Sequence, residues 1–292
     1  MKLSCALVVC NENPSYLEFW PIVKKAWQEI VGIPVLLVYV GHELPPQLEG
    51  DTSVVCFPPI PMWHTATQAQ CLRLLFPALI QCDGAILISD MDMIPLQPQW
   101  FHDTIEPFSN DSWVSYRESL GNQIVMCYCA ATAQTWGDLF SVRSMEDIQM
   151  KLQEWATKWH TDGHRGGQGW TTDQEILFQT VSDAEVDGRM EKRLCILPDP
   201  YHHVCPRPDR LDRAIPDEWI QFPPIVKNAL KAKQFIDFHM PPYGTFQENL
   251  ERICDFAITH RDSPYDPQYH YKRVFDTQER VLEPTTEPHL RS

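Results

Sequence analysis

The segment CDGAILISDMDMIPL, Cys82 to Leu96, carries an apolar run into two aspartates one residue apart, Asp90 and Asp92. In an extended chain residues i and i+2 point the same way, so these two carboxylates are expected to converge on one hard cation. Mg²⁺ and Mn²⁺ both suit carboxylate and phosphate oxygens, and either would bridge to a diphosphate. An isolated Asp-x-Asp is equally a way to begin a turn. The buried strand before this pair and the Ile94-Pro95 after it tilt the reading toward chemistry, because open α/β sheets bind ligands at the carboxyl ends of their strands.

The elements that must position this pair follow from the pattern of apolar residues. Leu3 to Val9 is an almost unbroken Val/Leu run suited to a strand buried on both faces. NENPS starts a turn, and Tyr16 to Val31 has helical spacing closed by Gly32. Val35 to Val40 is a second strand, Val54 to Phe57 a short third stopped by two prolines, Thr65 to Ile80 a helix, and Ala85 to Ser89 a further buried strand. Strand, helix, strand implies right-handed parallel crossovers and a mostly parallel α/β sheet flanked by helices. Further strands are expected at Trp113 to Tyr116 and Ile124 to Ala131, and helices at Met145 to Trp159 and Asp173 to Val181, the latter capped by Thr171 or Thr172. After Arg193, Pro and aromatic residues predict irregular chain to about Tyr243. One catalytic domain over 1–259 is expected, with 193–259 as an irregular part completing the site and 260–292 as a polar tail.

Three stretches taken together resemble the nucleotide-sugar glycosyltransferases of the GT-A fold, a Rossmann-like architecture, and in particular the family 8 type related to glycogenin and bacterial galactosyltransferases. The first is QAQCLRLLFPALIQCDGAILISDMDMIPL, which places Arg73, Asp90 and Asp92 on the family pattern of an Arg-Leu-bearing helix, a strand and Asp-x-Asp; Met91 falls between the aspartates in the donor-binding stretch. The second is WTTDQEIL, where Asp173-Gln174 fall on the family's Asp-Gln pair. The third is FHMPPYG, where His239 resembles the later His that joins the aspartates on the metal.

The resemblance covers about residues 1 to 245 and implies transfer of a hexose from a nucleoside diphosphate sugar, with UDP as the expected nucleotide, to a hydroxyl of a carbohydrate acceptor. It also implies retention of configuration and a Mn²⁺ or Mg²⁺ cofactor on Asp90, Asp92 and His239. Cys10, Asn11 and Asn13 match the place where the fold cradles the base; Asn offers a donor and an acceptor to a pyrimidine edge, though the same residues suit a turn that caps the next helix. Asp173 and Gln174 would bind or orient the sugar, or stabilise positive charge at the anomeric carbon. Were the reaction inverting, Asp173 would be the base.

The family's later motif has a Gly three residues after its His and then a Lys for the diphosphate. Here Gly244 comes five residues after His239 and no Lys follows nearby, so Arg165, in the Gly-rich loop Thr161 to Gly169, is the expected substitute. Four of the chain's twelve glycines, Gly163, Gly166, Gly167 and Gly169, suggest a movable lid just before Asp173.

Composition narrows the alternatives. Twenty-four Lys and Arg against 39 Asp and Glu give a net charge of −15, which repels nucleic acid and makes a cation near an anionic donor close to necessary. Ten cysteines without framework spacing predict buried free thiols, and with no apolar run near ~18 residues the expectation is a soluble, cytoplasmic protein. The opening MKLSCALVVC reads as a first strand rather than a signal segment. Two rivals remain. A haloacid-dehalogenase-type phosphatase also carries Asp-x-Asp after a strand, but after its first one. A non-catalytic domain would bind nucleotide sugar without turnover. Zinc at His202, His203 and Cys205 lacks finger spacing.

Overall fold

The computed structural model describes residues 1–161, 166–201, 207–213 and 221–266. Its first half runs β1 (Leu3–Asn11), α1 (Pro14–Leu17), α2 (Trp20–Ala26), β2 (Val35–Val40), β3 (Val54–Phe57), α3 (Thr65–Leu75), β4 (Ala85–Ile88), β5 (Met93–Pro95) and α4 (Pro98–Asp103). Then come β6 (Trp113–Ser115), β7 (Ser119–Leu120), β8 (Gln123–Ile124), β9 (Cys129–Thr132), α5 (Ala133–Phe140), α6 (Met145–Lys158), α7 (Thr172–Val186), β10 (Leu194–Ile196), β11 (Arg210–Asp212), a helix Pro224–Lys231, β12 (Asp237–His239) and a helix Tyr243–Thr259.

A seven-stranded sheet in the order β10-β6-β9-β4-β1-β2-β3 forms the centre. It is mostly parallel, as expected; β9 alone runs against its neighbours β4 and β6. β1 shows why a strand in this place reads as a continuous apolar run. Ala6, Val8 and Cys10 enter the core on one face of the sheet, while Cys5, Leu7 and Val9 enter the core on the other. Ile86, Leu87 and Ile88 of β4 are fully buried as well, each contributing roughly 1.5–3 kcal/mol. The first core centres on Trp27, Phe101 and Tyr128, the second on Trp113, Trp136 and Phe57.

Several expectations are corrected by proline and by side-chain competition. The single helix Tyr16 to Val31 is three pieces, α1, α2 and a wide π-type turn over Trp27–Val31, because Pro21 can sit only in the first turn of a helix. Gly32 does close it, at φ 80°. Pro77 similarly converts the end of the Thr65 to Ile80 helix into a 3₁₀ turn, Phe76–Leu79. Ile124 to Ala131 is split between β8 and β9. Thr171 precedes α7 without a side-chain cap, its hydroxyl donating instead to Glu175 at 2.9 Å.

The 193–243 stretch is more regular than its composition suggests. It contributes β10 to the main sheet and, with β5, builds a second sheet in the order β11-β12-β5. Its register sets His239 opposite Met93 on one side and opposite Asp212 on the other. The described cysteines are free thiols, and among the described residues no helix is long and apolar enough to cross a membrane. Residues 267–292 and the His202, His203, Cys205 cluster lie outside the described residues.

Candidate active site

A cavity of about 310 Å³ opens at the carboxyl ends of β1 and β4. Cys10, Asn11, Asn13, Arg73, Asp90, Met91, Asp92, Asp173, Gln174 and His239 all line it, so residues spread over most of the chain meet in one place. Arg165 lies outside the described residues. Among the further lining residues, four with polar or aromatic side chains were not singled out in the sequence: Tyr16, Gln70, Trp170 and Arg213. Gln70 stands three residues before Arg73 on α3, and Trp170 opens the quoted WTTDQEIL, so helical spacing and proximity would have found both. Arg213 gave no local signal, because its position depends on β11 pairing with β12.

At the floor of the cavity Arg73 joins two motifs. Its Nη2 donates to Asp173 Oδ2 at 2.8 Å and its Nη1 donates to Asp90. Arg73 and Asp173 are 9% and 1% exposed, and the buried Arg73 Nε has no hydrogen-bond partner. Burial raises the Asp173 carboxyl above its ordinary value against the pull of Arg73. The other oxygen, Oδ1, accepts from the Gln174 amide at 2.9 Å.

The two aspartates of the motif have different partners. The chain turns at Met91 and Asp92 instead of staying extended, so the same-side rule for i and i+2 does not apply. Asp90 faces Arg73, while Asp92 faces the second sheet. There Asp92 Oδ2 lies 3.3 Å from His239 Nε2 and accepts from Arg213 Nη1 at 2.7 Å, and His239 Nδ1 lies 3.4 Å from Asp212 Oδ2. Burial raises the Asp92 carboxyl, yet the His239 hydrogen bond and the charges of His239 and Arg213 outweigh it and hold the group at about 2. Burial alone would lower His239; its hydrogen bonds to Asp212 and Asp92 lift it to about 9.

Among the described residues no three His, Cys, Asp or Glu side chains form a ready-made metal cage. A carboxylate oxygen and an imidazole nitrogen 3.3 Å apart still form a donor pair suited to Mn²⁺ or Mg²⁺, ions that commonly take only one or two protein groups and complete their shell with water and phosphate. Binding would require His239 to lose its proton.

The ends of β11 and β12 are held by a buried charge network behind them. Asp237, fully buried, accepts from Arg210 Nε at 2.7 Å, Arg210 Nη2 at 3.0 Å, Arg117 Nη2 at 3.2 Å and the Tyr128 hydroxyl at 3.1 Å. Arg210 and Asp237 sit two residues before Asp212 and His239 on paired strands, so the network fixes the register that brings those two together. Asn11 Nδ2 donates to Thr65 Oγ1 at 3.0 Å, and Asn13 Oδ1 accepts from the Ser15 amide at 3.1 Å, capping α1.

No family model and no curated protein sequence matches the chain. In structure it is similar to solved glycosyltransferases. The galactosyltransferase LgtC, in complex with donor and acceptor sugar analogs, is 11% identical with a TM-score of 0.41, over 87% of this chain and 95% of that one. The apo form of GlyE from Streptococcus pneumoniae TIGR4 is 12% identical with a TM-score of 0.44, over 86% of this chain and 62% of that one. The mannosyltransferase PcManGT from Pyrobaculum calidifontis, in complex with GDP-Man and Mn²⁺, is 9% identical with a TM-score of 0.35, over 97% of this chain and 81% of that one.

Proposed function

We propose that the chain is a metal-dependent glycosyltransferase that moves a hexose from a nucleoside diphosphate sugar, with UDP as the expected nucleotide, to a hydroxyl of a carbohydrate acceptor. The observation that carries this reading is the single cavity in which the ends of three sequence motifs meet: Arg73 with Asp90 and Asp92, Asp173 with Gln174, and His239.

Each group has a task that its surroundings suit. Asn11 and Asn13, at the end of β1, offer amide groups to the base. Asp92 and His239 would hold a divalent ion. When bound, that ion supplies Lewis-acid stabilisation of the charge that builds on the departing diphosphate. Asp173 presents a fixed negative charge to the oxocarbenium-like anomeric carbon, and Arg73 keeps its carboxylate in place. Both Asp173 oxygens already accept hydrogen bonds, which favours charge stabilisation over proton abstraction and so supports retention over inversion. A phosphatase reading fits less well, since a nucleophilic Asp90 needs an open approach to phosphorus and here it is engaged by Arg73. The anomeric proton of the product, read by NMR, distinguishes retention from inversion.

The test is a thermal-shift panel of nucleotides and nucleotide sugars with and without Mn²⁺. A ligand that binds the native state raises the midpoint, and one nucleoside diphosphate is expected to do so in a Mn²⁺-dependent way. Turnover of generic phosphate esters with no such shift would instead support the phosphatase. Metal-dependent binding with neither sugar transfer nor donor hydrolysis would support a binding domain.

A further inference from the structure

We propose that Arg213 is the cation that grips the diphosphate in this cavity, and that Asp92 holds it in reserve until a divalent ion replaces it on the carboxylate. The proposal rests on the donor reading of the cavity given above.

Among the described residues two arginines line the cavity, and they are placed very differently. Arg73 is buried and committed to Asp90 and Asp173. The Arg213 side chain is 25% exposed, stands at the end of β11, and is tied through Nη1 to Asp92 Oδ2 at 2.7 Å. No lysine lines the cavity among the described residues. Among the described residues a diphosphate entering here therefore meets one guanidinium able to move toward it, and the group that holds this guanidinium is the carboxylate expected to bind the metal.

A divalent ion on Asp92 competes directly with Arg213 for the same oxygen. Once displaced, the guanidinium keeps its full charge and its fork of donors, which match two phosphate oxygens. Metal and Arg213 then oppose each other for Asp92 and cooperate on the diphosphate. That pair of opposite signs is specific to an exchange; a guanidinium serving only as structural support would not produce it.

The test compares wild type with Arg213→Gln and Arg213→Lys in the intact chain. Mn²⁺ binding without nucleotide is followed by loss of the free-ion electron paramagnetic resonance signal. UDP binding in saturating Mn²⁺ is followed by calorimetry, with uridine as the probe that lacks the diphosphate. Arg213→Gln is expected to weaken UDP about tenfold to a hundredfold, to leave uridine unchanged, and to tighten Mn²⁺ alone several-fold. Arg213→Lys, which keeps the charge without the fork, should fall between and guards against a variant that does not fold. UDP affinity within twofold of wild type in Arg213→Gln, or Mn²⁺ bound more weakly, overturns the assignment. A wild-type chain that binds no nucleoside diphosphate overturns the donor reading itself, and this assignment with it.

Discussion

Arg73 and Asp173 are one hundred residues apart in the chain and form a 2.8 Å ion pair, almost wholly buried, that fastens α3 to the first turn of α7. The pair belongs as much to the fold as to the site. Removing one partner leaves a buried charge uncompensated, so Arg73→Met should cost about 3–5 kcal/mol in urea denaturation. Adding Asp173→Asn should recover part of that loss without restoring transfer, since the charge beside the sugar is then gone. Equal stability of the single and double variants would show that the two groups do not depend on each other.

Asp92→Asn tests the metal more sharply than any other substitution. The amide cannot replace the carboxylate as a hard anionic ligand, and it leaves only a neutral oxygen to accept from His239 and Arg213. Activity should fall by two orders of magnitude or more, and Mn²⁺ binding should become undetectable in the same sample. Full wild-type activity in excess chelator would contradict the mechanism.

Lys233 gives a pH signature distant from this chemistry. It is buried, at φ 57°, and burial pushes its ammonium down to about 8 against the opposing charge of Asp262. The folded value lies below the unfolded one, so the unfolded chain binds more protons between about pH 8 and pH 10.5. Stability should therefore rise with pH across that window, by about 2 kcal/mol. Chemical denaturation at pH 7.5 and pH 10 measures it, and Lys233→Met should be more stable at pH 7.5 and lose the rise.

Gly169 and Gly166 offer a matched comparison in the Gly-rich loop. Both have positive φ, 71° and 73°, so alanine at either costs roughly 1–2 kcal/mol in backbone strain. At Gly166 a Cβ would meet open space. At Gly169 it would come within 2.7 Å of the His160 carbonyl and 2.9 Å of Thr172 Oγ1, at the entrance to α7. Gly169→Ala should thus lower the melting temperature clearly more than Gly166→Ala and should also reduce donor affinity by shifting Asp173.

Much of this was legible in the residues themselves. β1 to β4 and α3 announced themselves because strands buried on both faces leave no polar position, and their carboxyl ends pointed to Asn11 and Asp90. The motif residues line one cavity. Less legible were features decided by pairing between distant segments. The separate partners of Asp90 and Asp92 depend on Arg73 and on the second sheet, and Arg213 gains its place only because β11 lies beside β12. The helix Tyr243–Thr259 was also legible: Leu250, Ile253, Cys254 and Ala257 recur at helical spacing and are all buried, although the prolines before it suggested irregular chain over 193–259.

The second sheet has a consequence for the order in which the protein is made. Every strand of the main sheet lies before residue 197, so the central sheet can assemble while the rest is still on the ribosome. His239 emerges about 150 residues after Asp92, which at typical elongation rates is roughly ten seconds or more. During that interval β5 has no neighbour in its sheet and Asp92 lacks His239. A nascent chain stalled near residue 200 would hold the strands of the central sheet but not the second sheet, and the cavity wall around Asp92 would be completed only when the last third of the polypeptide returned to meet a strand made long before.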